Sequence, residues 1–298
     1  MGNTEPSPLT THGVAWPRPD WLDELAPADL QGLNQLVAAS HWNQTADDWR
    51  LFMAFGRIAV IRDVAGQVIA SGAVLPMETG VRAAMPAWIS MILVHPNHRD
   101  RGLGSAVFRH CLDHALDQGY IPMLDATPQG AALYQRHGFR PLWPLSRWER
   151  AGQTPGIAQP ASALQPEQDG LALESLERAA LGLSRRHVLQ HLLDRPGSHC
   201  IQQAHGFAIV RSGRLAMHAG PIVSMAPEQD SALLAQVIDT PFRLFIDVPD
   251  CQSVLQQQLR QAGFSRQRGF IRMAGPSPTP WPKAAAPALL AIAGPEYG

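Results

Sequence analysis

The chain has 298 residues, 45% hydrophobic and 16% charged, with a net charge of −1. This is the composition of a soluble globular protein with length for about two domains, and it excludes nucleic acid as a bulk electrostatic partner. Cys111, Cys200 and Cys251 lie far apart and read as buried small hydrophobes; no apolar run approaches the roughly 18 residues that cross a membrane, and no signal pattern opens the chain, so a cytoplasmic location is expected.

Taken in order, residues 1–20 are polar and proline-bearing and read as a loose arm. Leu30, Leu33, Leu36 and Val37 give a helical period over 26–39, with Pro27 near the first helical position. Thr45 is placed to cap a second short helix over 43–53. Residues 57–63 and 67–77 are rich in small and β-branched apolar residues around an Ala65-Gly66 turn, the pattern of a hairpin. A strand over 86–95 follows and runs into a basic, glycine-bearing turn.

In that turn Val94 and Pro96 precede Arg99, Gly102 and Gly104. Beyond it Leu103, Val107, Cys111, Leu112 and Ala115 recur at helical spacing. Amides at a helix start, with Arg99 and Arg101 nearby, suit an anionic diphosphate. Two competing nucleotide motifs fit less well. No glycine-rich loop ends in Gly-Lys-Ser or Gly-Lys-Thr, and the third glycine of the dinucleotide fingerprint is replaced by Val107. After Gly119 a short buried strand runs from Ile121 to Asp125. A helix carrying Leu133 and Tyr134 then ends at Gly138, and Phe139 opens another strand.

The turn resembles the acetyl-coenzyme A loop of the GNAT N-acetyltransferase superfamily: Arg or Gln, two residues, Gly, one residue, Gly or Ala. Tyr134 with Gly138 and Phe139 matches a second feature of that family. The resemblance covers roughly residues 25–150.

Residues 151–166 carry Pro155, Pro160 and Pro166 without any period and read as a linker. The remainder then echoes what came before. Two helices over 171–180 and 184–193 lead to a strand over 219–227, a helix over 231–238, a strand over 242–247 and a helix over 251–262. Ile246-Asp247 before Gly263-Phe264 repeats Leu124-Asp125 before Gly138-Phe139, a weak internal duplication. The echo lacks a glycine and an arginine between Pro227 and Ser231, and Leu259 stands near the place of the tyrosine. Gly206-Phe207, Arg211, Gly220-Pro221, Asp247-Val248-Pro249, Arg272-Met273 and the run ending at Glu296 resemble the second domain of a bacterial GNAT subgroup. The resemblance implies an α/β (α+β) fold of two tandem GNAT-like domains, each a mixed, mostly antiparallel twisted sheet flanked by helices. Residues 1–150 would be catalytic, 151–166 a linker, and 167–298 degenerate, with an accessory or acceptor-shaping role.

It further implies acetyl transfer from acetyl-CoA to an amine in a ternary complex, with no metal. Ile92, Leu93 and Val94 would line the coenzyme arm. Arg99, Asp100, Arg101, Gly102, Leu103, Gly104 and Ser105 would hold its diphosphate, and Thr127 would bond it where the family often has Asn. Tyr134 is the candidate general acid toward the leaving thiolate. The family often places a Glu on the strand before the turn as base, but residues 87–94 hold no carboxylate. Asp125 is the first candidate instead, since a carboxylate in an apolar strand is costly without a function or partners. Glu78 and His95 remain alternatives, and Asp125 could equally be satisfied by the amides of Ala126 and Thr127. His98, His110 and His137 show no metal-ligand grouping. Arg186, Asp247 and Glu296 are candidates to reach the acceptor pocket from the second half. A small amine or amino-acid-like acceptor is expected. A protein lysine or N-terminal acceptor, a coenzyme sensor with little turnover, and a dimerisation role for residues 167–298 are the alternatives.

Overall fold

A computed structural model describes residues 9–11, 14–16, 18–78, 85–153, 170–277, 281 and 285–298. The first half contains β1 (Leu9–Thr11), β2 (Val14–Trp16), β3 (Asp20–Trp21), α1 (Pro27–Ala39), α2 (Ala46–Phe55), β4 (Arg57–Arg62) and β5 (Val68–Pro76). It continues with β6 (Pro86–Val94), α3 (Leu103–Asp117), β7 (Ile121–Ala126), α4 (Pro128–Arg136) and β8 (Arg140–Arg150). The second half contains α5 (Gly170–Leu181), α6 (Arg186–Asp194), β9 (His199–Gln203), β10 (Gly206–Arg211) and β11 (Met217–Ser224). After these come α7 (Asp230–Ile238), β12 (Leu244–Pro249), α8 (Ser253–Gln261), β13 (Ser265–Ala274) and β14 (Leu289–Ala291). The loose arm expected over residues 1–20 is partly strand: β1 pairs with β2, and β3 edges the main sheet against β4. Of the linker expected over 151–166, residues 154–166 lie outside the described residues, while Gln153 bridges to Phe242.

Local chemistry accounts for the elements the sequence announced. Thr45 and Asp48 form a reciprocal capping box at the start of α2. In the β4–β5 turn Asp63 accepts from the amides of Ala65 and Gln67, and Gly66 takes a φ of 80° that a side chain would resist.

Apart from the β1–β2 pair, the strands of both halves join in one sheet. Their order is β3-β4-β5-β6-β7-β13-β8-β12-β11-β10-β9, with β14 on β11. Strand β13 of the second half therefore lies between β7 and β8 of the first, and β8 lies between β13 and β12 of the second. Both insertions are antiparallel. The halves exchange equivalent strands, each following the helix that ends in Gly-Phe.

Two buried ion pairs mark the exchange. Asp125 on β7 is the register partner of Arg272 on β13, and Asp247 on β12 is that of Arg147 on β8. Both pairs are bidentate, at 2.9 and 2.8 Å for Arg272 and 2.8 and 2.7 Å for Arg147. Arg147 follows Gly138 by the same spacing as Arg272 follows Gly263. The duplication read in the sequence is thus also a duplication of ion pairs, each crossing between halves.

Helices α1, α2, α5 and α6 cover one continuous core in which Leu33, Trp49, Phe52, Leu173, Leu192 and Phe207 are buried together with Leu145 and Phe270. Helix α3 packs Val107, Phe108 and Cys111 over the first half; α7 and α8 pack Leu233, Leu255 and Leu259 over the second. Each such fully buried side chain contributes about 1.5–3 kcal/mol.

A polar network fastens the same seam. Asp48, besides capping α2, accepts from Arg195 at 2.8 Å and from the Tyr297 hydroxyl. Arg195 also donates to the Tyr297 hydroxyl. Burial works to raise the Asp48 carboxyl, but Arg195, Arg211 and hydrogen bonds from Tyr297 and Thr45 outweigh it and hold it at about 2, against 3.8. A depressed carboxylate stabilises the fold above its ordinary value and loses that contribution as pH falls through the folded one. Wild-type stability in urea titrations should therefore decline between about pH 4 and pH 2. Asp48→Asn should be less stable at neutral pH and lose much of that acid slope. An undiminished slope in the variant would contradict the assignment.

Candidate functional site

The glycine turn folds as its residue types dictate. Pro96–His98 form one short turn of 3-10 helix, and Arg99 donates from Nε to the Val94 carbonyl at 3.3 Å. Gly102 then takes a φ of 78° as it caps α3, a conformation costly for any residue with a Cβ. No side chain caps α3, so the amides of Leu103, Gly104 and Ser105 open the helix without a side-chain acceptor. A Cβ on Gly102 would meet nothing within 4 Å, and one on Gly104 would meet only Val94 Cγ2 at 3.4 Å.

Next to it the sheet parts. Strands β6 and β7 run parallel and pair only from Pro86–Ile121 to Trp88–Met123, although β6 continues to Val94 and β7 to Ala126. The other side of β6 carries a bulge: pairing with β5 passes from Ser71–Leu93 to Ala73–Ser90, so Met91 and Ile92 have no register partner. Met91 takes a φ of 56°, and its carbonyl accepts from the Ser71 hydroxyl at 2.9 Å. Bulge and splay together turn the end of β6 away from β7.

A cavity of about 170 Å³ lies where the strands part. Ile92, Asp125, Thr127 and Tyr134 line it from the first half, and Arg268, Phe270, Pro295 and Glu296 from the second. Tyr134 packs its ring edge-on to Phe108 at 4.8 Å between centroids. Its hydroxyl makes no hydrogen bond among the described residues, and burial pushes the phenol up to about 12. Thr127 caps α4 by accepting from the Gly130 amide at 3.3 Å, which leaves its own hydroxyl proton for another acceptor. The sequence-predicted residues are thus divided between two adjoining places: Arg99 to Ser105 at the turn, and Ile92, Asp125, Thr127 and Tyr134 at the cavity.

Asp125 is not the open carboxylate that a general base requires. Nor do the amides of Ala126 and Thr127 satisfy it. Both its oxygens are taken by Arg272, whose guanidinium lies between Trp88 and Trp143 at 4.7 and 4.3 Å. Burial raises the Asp125 carboxyl above its ordinary value although Arg272 pulls the other way, and a proton placed there would strip a buried cation of its partner. Glu78, which bridges to Ser184, and His95, which accepts from the Asn97 amide, both lie outside the cavity lining. Asp247 belongs to Arg147, and Arg186 is an exposed residue near Glu174. Of the three second-half candidates only Glu296 reaches the cavity. Sequence reasoning passed over Arg268, Gln44 and Ser90, none of which stands in a motif that sets it apart.

The corresponding opening in the second half is filled. Strands β11 and β12 pair in parallel from Met217–Leu244 to Ala219–Ile246 and then part. There β14 lies against β11, and the Ile292 amide donates to the Asp247 carbonyl at 2.9 Å. A Cβ on Gly220 would come 2.0 Å from the Ile292 carbonyl oxygen, so only glycine admits the segment. Beyond it Trp88 Nε1 holds the Pro295 carbonyl at 2.9 Å and Arg211 holds Glu296 at 3.1 Å. One stretch of chain closes the second cleft and then lines the first.

Among the described residues no group of three or more His, Cys, Asp or Glu side chains is placed to hold a metal, and no helix is long and apolar enough to cross a membrane. Replacing Asp125 tests its structural role. Asp125→Asn should lose about 3–5 kcal/mol in urea denaturation, because Arg272 stays buried without its partner. Asp125→Leu with Arg272→Met should recover much of that loss. Asp125→Asn with near-wild-type stability and no activity would restore Asp125 as the base.

No curated protein matches the chain. Two family models do, both for an acetyltransferase (GNAT) domain, over residues 54–141 and 173–284. Among solved structures, a proposed acetyltransferase from Pyrococcus horikoshii shares the fold at a TM-score of 0.74 and 17% identity, over 97% of this chain and 99% of that one. GCN5-related N-acetyltransferases from Kribbella flavida (TM-score 0.53, 17% identity, 86% of this chain and 70% of that one) and Anabaena variabilis (0.55, 15%, 86% and 72%) share it more loosely. With one GNAT domain matched in each half and the sheet joining them as described, the chain belongs to the GNAT superfamily and is an acyltransferase.

Proposed function

We propose that the protein transfers an acetyl group from acetyl-CoA to a primary amine of a small acceptor, by direct attack in a ternary complex. The observation that carries this reading is the unbonded Tyr134 hydroxyl in the cavity where β6 and β7 part. When bound, acetyl-CoA would supply the thioester that the amine attacks as its free base: the N–C bond forms as the C–S bond breaks, the thiolate takes the Tyr134 proton, and the proton leaving the nitrogen passes to solvent water, from which the phenol is reprotonated.

The open turn and uncapped start of α3 fit a diphosphate, with Arg99 and Arg101 adding positive charge around the amides of residues 102–105. The unpaired stretch at Met91 and Ile92 suits the coenzyme arm, with Leu93 and Val94 beside it. Asp100, whose φ is 60°, shapes the turn before Gly102. Thr127 has a hydroxyl proton to offer. Tyr134 holds a proton at its phenol oxygen for the departing sulfur, and with its pKa at about 12 it stays protonated throughout the neutral range. Lining by Arg268, Phe270, Pro295 and Glu296 encloses the acceptor side, which favours a small amine over a residue on a folded protein surface.

Thiol release with a panel of amines tests the reading. Tyr134→Phe should lower kcat by about 10²–10⁴ at neutral pH while coenzyme affinity and thermal unfolding stay near wild type. The wild type should show no alkaline loss attributable to this phenol up to pH 10, because its folded pKa lies above that range. Full activity in Tyr134→Phe would remove the acid, and failure to bind the coenzyme would remove the whole reading.

A further inference from the structure

Most charges around the cavity are already matched. Arg147 is bound to Asp247 and Asp125 to Arg272. Four lining residues nevertheless bury a polar side-chain atom that has no partner among the described residues: Gln44 Oε1, Ser90 Oγ, Arg268 Nε and Glu296 Oε2. Two of these atoms belong to opposite charges. The simplest way to satisfy both atoms would be for the two groups to close on each other. They do not: Arg268 feels the charge of Glu296, yet the two form no ion pair. The space between them is large enough for more than water, at about ten times the volume a single water molecule needs.

We propose that this cavity recognises a zwitterionic acceptor, an amino acid or related amino-carboxylate, with Glu296 and Gln44 receiving its ammonium and Arg268 its carboxylate. The inference rests on the acetyl-transfer reading and names its substrate class. Glu296 and Gln44 are neighbours in the fold, since both also line an adjoining crevice with Arg211 and His218. The other Glu296 oxygen accepts from Arg211, which fixes the carboxylate and leaves Oε2 as the free acceptor. Arg268 stacks on Phe270 at 5.2 Å, and Nε remains a buried donor without an acceptor. Burial, then repulsion from Arg147, lowers the guanidinium to about 10, the condition of a cation short of an anion. Trp42, Ile89 and Phe270 give the remaining wall an apolar surface suited to an aliphatic side chain.

The test is direct binding, by calorimetry in the presence of coenzyme A, of L-amino acids alongside the amine and the acid that each leaves when one charged group is removed. Some L-amino acid should bind at least tenfold more tightly than either fragment. Arg268→Met should erase its advantage over the decarboxylated amine, and Arg268→Lys should restore part of it. Glu296→Gln should weaken the amino acid and the amine together. Amines that bind as tightly as amino acids, or no binding by any amino acid, would overturn the inference. Thiol release separates it from the reading beneath. Transfer to amines with no preference for a carboxylate sinks the inference alone, whereas selective amino-acid binding without transfer sinks the acetyl-transfer reading and leaves the recognition standing.

Discussion

A carboxylate in the middle of an apolar strand is tolerable only when a cation comes to it, and here each cation comes from the opposite half of the chain. The side chains of Asp125 and Asp247 are fully buried, and Arg272 and Arg147 reach them from the exchanged strands. Aromatic faces hold both guanidinium groups: Trp88 and Trp143 around Arg272, Phe245 and Phe270 around Arg147. Such pairs add little net stability, because desolvation offsets most of the attraction. Their effect is on register. A slip of one residue in β13 or β8 would carry the arginine to the other face and strand both charges in the core. The ion pairs thus specify which strands exchange and at what alignment.

The site follows from that exchange. With β13 seated between β7 and β8, Arg268 and Phe270 stand beside a cleft made by strands of the first half. The segment after β14 completes the lining with Pro295 and Glu296, anchored by Trp88 and Arg211. The cavity is therefore lined from both halves, by Gln44, Asp125, Thr127 and Tyr134 of the first and by Arg268, Phe270, Pro295 and Glu296 of the second.

What the sequence made legible was local. The cap at Thr45, the glycine that bends the turn at Gly102 and the apolar period of α3 depend on residues a few positions apart, and each stands where the spacing put it. The repeated Asp and Gly-Phe spacing even located both ion-paired carboxylates. Their partners were hidden, because Arg272 lies 147 positions from Asp125 and nothing short-range ties them. For the same reason a buried Asp125 could be read as a base. The insertion of β13, and the strands β9 and β10, escaped notice because pairing across a sheet leaves no mark at the period of a single strand. Arg268 and Gln44 acquire meaning only from the cavity they share, and Glu296 could be named but not placed.

The second half matches a GNAT domain but places other residues where the first has its turn and its tyrosine. Leu259 fills the place of the tyrosine and is fully buried in an apolar core; no positive-φ glycine turns the chain between β11 and α7. Where β11 and β12 part, β14 supplies the backbone partners that would otherwise be missing. An open splay, such as that between β6 and β7, leaves strand amides and carbonyls without partners on the facing strand. In the second half a resident segment occupies that place. That segment must leave the cleft again, and the seam between the halves is where it emerges. Plugging one site and furnishing the other are thus two consequences of a single chain path, with Gly220 giving it room to pass.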